Sequence, residues 1–172
     1  VMQMDAGLDT GDILLQTECW ISREETAVTL GERLSHIGAD ALSQVLQSLA
    51  AGTLTRTPQD HSQATFAPIL KREDGLIDWN LPAELIACRI RAFQPWPGGY
   101  TTLDGTRLVI WKAHPGAAGS TDSAAPGTFL TQTPTSLLVT CGEGTVLQLE
   151  ELQLEGRKRL GARDFLNGMR LA

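Results

Sequence analysis

At Gly99 the hydrophobic period of the chain changes from that of helices to that of strands, which confines the fold to two kinds of unit in series. Upstream, Ala27, Leu30, Leu34, Ile37, Ala41, Val45 and Leu49 recur at spacings of three and four, which places them on one face of a long helix. Ser22 followed by Glu25 reads as a capping box at its start, and Gly52 as its stop. Gly31 and Gly38 lie seven apart, hence on one side, and read as points of close packing against a neighbour. A shorter helix is expected from about Pro82 to Phe93, with Leu85 or Ile86, Ile90 and Phe93 as its buried stripe. Asp78 or Asn80 is its expected cap, Trp79 an expected core residue, and Pro95-Trp96-Pro97 its end.

Downstream, Asp104-Gly105 between two alternating runs is a strong hairpin signal. Further strands fit residues 128–132, 136–141 and 145–154, with a flexible stretch over 114–126 and a last helix over 162–167. Five strands joined by short turns predict a mainly β unit, a small OB-like barrel. Ahead of the long helix, residues 1–4 and 13–19 read as short strands flanking the loop Asp5-Ala6-Gly7-Leu8-Asp9-Thr10-Gly11-Asp12, whose glycines and aspartates exclude a helix or sheet interior. The expected organisation is a unit over 1–52, a linker over 53–73 and a second unit over 74–172.

The net charge of −6 by itself argues against a nucleic-acid partner. Its distribution says more. Residues 1–66 hold three basic and nine acidic side chains, whereas residues 67–172 hold eleven of each, so the two units are expected to have different jobs. No apolar stretch approaches the roughly 20 residues of a membrane-spanning helix, and no basic-then-apolar leader opens the chain. A soluble, cytoplasmic protein is expected. Cys19, Cys88 and Cys141 form no paired motif and read as small buried apolar side chains rather than a disulfide framework or zinc site. The start at Val1, inside an apolar run, reads as a piece of a longer protein, with removal of a pro-segment as the alternative.

Chemistry centres on Leu8-Asp9-Thr10-Gly11. An aspartate on a tight loop can orient a histidine or fix a water for proton transfer. Asp5, Asp9 and Asp12 are also oxygen ligands for a hard cation, and a solvated acidic turn is the third reading. His36, His61 and His114 are isolated. The basic groups are Lys71 with Arg72, Arg89 with Arg91, Arg107 with Lys112, and Arg157, Lys158 and Arg159, the last on an expected exposed turn. They are either solvated surface or, where they converge, a nucleic-acid contact.

Met2-Gln3-Met4-Asp5-Ala6-Gly7-Leu8-Asp9-Thr10-Gly11-Asp12, followed by Leu14 and Ile21, closely resembles the signature of folate-dependent formyltransferases around their active-site aspartate. Ile77-Asp78-Trp79, Pro82-Ala83 and Ile90-Arg91-Ala92-Phe93-Gln94-Pro95-Trp96-Pro97-Gly98 resemble the start of the C-terminal domain of methionyl-tRNA formyltransferases. The resemblance implies the tail of a doubly wound α/β catalytic domain followed by an OB-like, tRNA-binding barrel. The implied reaction transfers a formyl group from 10-formyltetrahydrofolate to the amino group of methionyl initiator tRNA. Asp9 matches the catalytic aspartate, and Asp5, Ala6, Gly7 and Leu8 would border the folate pocket. Lys71 and Arg72 match the basic linker that faces tRNA, and Arg157, Lys158 and Arg159 are the barrel's candidate tRNA contacts. Neither a metal nor a membrane is implied. The family's Asn and His, carried on an HxSLLPxxRG-type segment, have no counterpart in these residues, so this chain is expected not to formylate by itself. Relatives that formylate amino-sugar nucleotides or oxidise formyl-folate share the tail. A stand-alone nucleic-acid-binding module and an inert interaction domain are the readings from other classes.

Overall fold

The computed structural model of the chain describes residues 1–117, 124–133 and 136–168. It divides into two compact units, Val1–Ile69 and Leu70–Ala172. Part of the 114–126 stretch expected to be flexible lies outside the described residues, and His114 and Pro115 belong to a strand.

The first unit is built on helix α1, Ala27–Ala50. Its capping box is not the expected one. The Thr26 hydroxyl accepts the Thr29 N–H at 3.3 Å, and the Thr29 hydroxyl accepts the Thr26 N–H at 3.0 Å. Glu25 is engaged elsewhere: its two oxygens accept from Arg33 Nε at 2.7 Å and Nη2 at 2.8 Å, while Oε2 also accepts the Ser22 N–H. The guanidinium, then the Ser22 amide, hold this carboxyl below the usual range. Arg33 also reaches the Trp20 carbonyl, so one arginine ties the segment before the helix to its second turn. At the other end the stop is as expected: Gly52 has φ 69°, and the Gly52 and Thr53 amides return to the Leu49 and Ser48 carbonyls.

Only Ala41 and Val45 of the predicted stripe are buried, whereas Leu34 and Leu49 are exposed. Among the described residues nothing lies within 4 Å of a Cβ placed on Gly31 or Gly38, so no part of this chain supplies the neighbour expected there. The two strands expected before the helix are reduced to isolated antiparallel bridges, Met2 with Ile13 and Ile13 with Thr57.

The second unit is one antiparallel sheet with helices packed on it. Its strands are β1 (Gly99–Leu103), β2 (Thr106–Pro115), β3 (Phe129–Thr133), β4 (Ser136–Thr140), β5 (Val146–Leu154) and β6 (Leu160–Gly161), one short strand more than expected. The order is β1-β2-β5-β4-β3, with β6 also on β5. Strand β5 is the joint: β2 runs along one edge, and β4 and β6 share the other, at residues 146–149 and 151–152. The hairpin falls where Asp104-Gly105 predicted it. Both turn residues have positive φ, 48° and 76°, as a tight turn matched to the strand twist requires.

Inward-facing Leu108, Ile110, Leu137, Val139, Leu147, Leu149 and Leu152 form the core. Onto it helix α2 (Ala83–Ala92) lays Ile86, Ala87 and Ile90, and helix α3 (Ala162–Gly168) lays Ala162 and Phe165. Ile86, not Leu85, belongs to the buried stripe, and Phe93 is only half-buried. No side chain near the chain start of α2 caps it. Asp78 instead accepts from the Asn80 amide and carboxamide at 3.0 and 2.8 Å. Trp79 is half-buried against the core, donating Nε1–H to Thr101 Oγ1 at 3.1 Å and meeting Phe129 edge-to-face. Of the cysteines, Cys141 is buried as expected, while Cys19 and Cys88 are half-buried.

Candidate functional site

The acidic loop is closed by backbone first. The Gln3 N–H donates to the Asp12 carbonyl at 2.8 Å, next to the Met2 bridge to Ile13, so residues 4–11 must reverse direction in little space. Gly11 makes that possible: a Cβ there would lie 1.6 Å from the Gln3 carbonyl oxygen. Asp5 folds the first half, with Oδ1 accepting from the Gly7 N–H at 3.0 Å and the Thr10 hydroxyl at 2.7 Å. Gln59 clamps the second half. Its Nε2 donates to the Asp9 carbonyl at 2.9 Å and the Gly11 carbonyl at 2.6 Å. Ile13 and Thr57 exchange both backbone bonds just beyond it and bring Gln59 into place. Next to the clamp, Asp60 accepts from the Ser62 hydroxyl at 2.6 Å and from Gln63 Nε2 at 2.7 Å; these donors, Ser62 first, hold its carboxyl low.

Asp9 sits at φ 55°, in the left-handed region, with its carboxylate exposed. Among the described residues that carboxylate has no hydrogen-bond or ion-pair partner, and no such contact joins it to a histidine. Asp5 and Asp9 therefore part company: one is consumed in shaping the loop, the other is displayed by it. Leu8 is 90% exposed beside it, and Ala6 and Leu8 leave their N–H groups unbonded among the described residues. No group of three or more His, Cys, Asp or Glu side chains converges as ligands among the described residues. Sequence reasoning missed Gln59. Only its type, a two-handed amide in a polar stretch, was on view.

In the second unit the cations take distinct places. Lys71 and Arg72 are exposed at the head of a short turn, Arg72–Gly75, shaped by Asp74 accepting the Lys71 N–H at 2.6 Å. Arg157 and Lys158 are exposed between β5 and β6, where the chain turns at Gly156 with φ 72°, as expected for this cluster. Arg159, beside them, pairs with Glu151 and lies over the Trp111 ring, 5.0 Å from its centroid. Arg107 covers Tyr100 at 3.9 Å, and Arg89 covers Phe93 at 5.0 Å. Lys112 reaches Glu150 at 2.6 Å. No helix of the described residues is long and apolar enough to cross a membrane.

A loop that displays one aspartate, followed by an antiparallel unit rimmed with cations, has close relatives. The formyl transferase C-terminal domain family matches residues 69–170, and the formyl transferase family matches residues 1–46. The chain belongs to the formyl transferases. More particularly, it is 54% identical over 170 residues, 99% of its length, to the methionyl-tRNA formyltransferase of Solibacter usitatus, and 48% identical over the same length to that of Geobacter metallireducens. It spans about half of these curated relatives, 53% of each. Among solved structures it shares its fold with HypX from Aquifex aeolicus in complex with tetrahydrofolic acid. The TM-score there is 0.67 at 14% identity, covering 96% of this chain and 29% of that one. It also resembles the methionyl-tRNA formyltransferase of Clostridium thermocellum, with a TM-score of 0.52 at 21% identity, covering 82% and 55%.

Proposed function

We propose that this chain serves an enzyme that transfers a formyl group from 10-formyltetrahydrofolate to the amino group of methionyl initiator tRNA. The observation that carries the reading is identity of 44–54% along 99% of the chain to relatives with that name; Asp9 would be the active-site aspartate that the loop's resemblance implies. Residues 1–52 would be the tail of a doubly wound catalytic domain, 53–73 a linker, and 74–172 an OB-like tRNA-binding domain. The exposed leucines of α1 would then pack on the catalytic sheet.

The loop fits one wall of a folate pocket. Exposed Leu8 offers an apolar surface, and the free N–H groups of Ala6 and Leu8 offer donors to a heterocycle, with Asp5 and Gly7 setting the curve. Asp9 is the proton-handling group. Its task is to hold a histidine or a water in line as the amine attacks the formyl carbon. Gln59 keeps its backbone still meanwhile. Lys71, Arg72 and the turn with Arg157, Lys158 and Arg159 would face the tRNA backbone, in a cytoplasmic protein that needs neither metal nor membrane.

The test is formylation of charged initiator tRNA by the whole enzyme. Asp9→Asn should lower turnover by roughly two to four orders of magnitude with the fold intact, and wild-type turnover would strip Asp9 of its role. The 172-residue chain by itself should give none; turnover above background would overturn that expectation. A nucleotide amino sugar offered in competition should stay unformylated, which separates this reading from the one suggested by the N-formyltransferase of Helicobacter canadensis crystallised with dTDP-3-aminofucose.

A further inference from the structure

Between Ile110 and Lys112 strand β2 advances two residues while β5 advances one, and between Lys112 and Ala113 the reverse holds. Trp111 and Glu150 are therefore the extra residues of two compensating bulges, and a bulge re-aims the side chain it carries. The Trp111 backbone carbonyl is held by Gln94 Nε2 at 2.6 Å. Its indole Nε1–H donates to Gln153 Oε1 at 2.9 Å, and Gln153 Nε2 donates onward to the Arg157 carbonyl at 2.9 Å. The two bonds fix which way the Gln153 amide points, since one end must accept and the other donate. The other end of the basic turn meets the same tryptophan, because the Arg159 guanidinium lies over its ring and pairs with Glu151. One indole thus holds both flanks of a three-residue turn. Its edge holds the first flank through Gln153, and its face holds the last through Arg159. Arg157 and Lys158 have no carboxylate partner among the described residues and stay exposed.

We infer that Trp111 and Gln153 are positioning residues for RNA binding: they pre-order the turn so that Arg157 and Lys158 meet the phosphate backbone, while Arg159 acts through the turn. The inference rests on the proposed tRNA contact of this cluster and divides its labour. An ordered turn loses less conformational freedom when it binds, so a relay that holds it adds affinity without touching the ligand.

The experiment titrates in-vitro-transcribed initiator tRNA into the 172-residue chain at several salt concentrations. Lys158→Ala should weaken binding and lower the log–log salt slope by about one. Trp111→Phe keeps a ring under Arg159 but removes the N–H, and Gln153→Met keeps the volume but breaks both bonds. Each should weaken binding roughly five- to tenfold, the worth of one hydrogen bond. Introduced into Lys158→Ala, each should add less than about twofold, because neighbours acting through one element are not additive. Full additivity of both, or wild-type affinity in both single variants, overturns the positioning role even where one variant folds poorly. Wild-type affinity in Lys158→Ala and Arg157→Ala, or no binding by the parent chain, instead overturns the contact beneath it.

Discussion

The Thr145 hydroxyl accepts the Ala83 N–H at 2.9 Å across 62 residues of chain, and so caps helix α2 from the turn before β5. Its own proton goes to the Gly142 carbonyl at 2.7 Å, which leaves a lone pair aimed at the helix. A cap of this kind contributes about 1 kcal/mol. Thr145→Val, nearly the same shape, should lower the unfolding free energy by that amount and the urea midpoint with it, whereas Thr145→Ser should stay near wild type. An unchanged midpoint in the valine variant would mean that water replaces the hydroxyl at no cost.

Gly31 and Gly38 weaken the interior of α1, and among the described residues nothing stands where their side chains would be. Alanine at either position should stabilise the helix by about 1 kcal/mol. The check is thermal loss of far-UV ellipticity. A lower melting temperature in Gly38→Ala would show that a neighbour needs that face.

Glu150 carries a pH dependence. Lys112, first, and then His114 at 3.2 Å hold its carboxyl below the ordinary value of 4.5. A depressed carboxyl contributes stability above its unfolded pKa and loses it as pH falls through the folded one. The pair is partly exposed, so the contribution is below about 1 kcal/mol. Glu150→Gln should be the less stable variant at neutral pH, and the gap should close as the pH drops below 4.5. Denaturant melts of both proteins across that range read the gap directly, and a gap independent of pH would dismiss the ion pair as its source.

Gly11→Ala should unseat the aspartate loop, since its Cβ would intrude on the Gln3 carbonyl. Hydrogen exchange at the Gln3 amide, which is bonded to Asp12, should accelerate while the amides of β5 keep their protection. Unchanged exchange at Gln3 would mean the loop has room to give.

What was legible before the structure is what depends on neighbours in sequence. The α1 spacing, the Gly52 stop and the Asp104-Gly105 turn are local, and each appears where expected. The misreadings are cases of competition. Ser22 and Glu25 make only half of a capping box, with Glu25 accepting the Ser22 N–H while Arg33, eight residues on, shares the carboxylate; the helix begins later, where Thr26 and Thr29 form the full box. Asp78 loses the cap of α2 to Thr145, and no window of ten residues contains both. The site follows the same rule. The composition of the loop marked it, and Asp5 is taken up by Gly7 and Thr10 close by in sequence, but the clamp on the Asp9 backbone comes from Gln59, 50 residues away. The doubled bulge at Trp111 and Glu150 does mark the alternation, as a one-residue break of phase on both strands: Leu108 and Ile110 then Ala113 on β2, Leu147 and Leu149 then Leu152 on β5. The opposite slips restore only the pairing between the strands, which is why neither run looks interrupted as a strand.

The place of β5 bears on how this chain is made. A ribosome delivers β1 and β2 first, then β3 and β4, and neither pair has a common partner until residues 146–154 emerge. Two hairpins with apolar inner faces must wait for the strand that joins them, the first with only α2 to cover it. Nascent chains halted before that strand are therefore the ones a chaperone should hold.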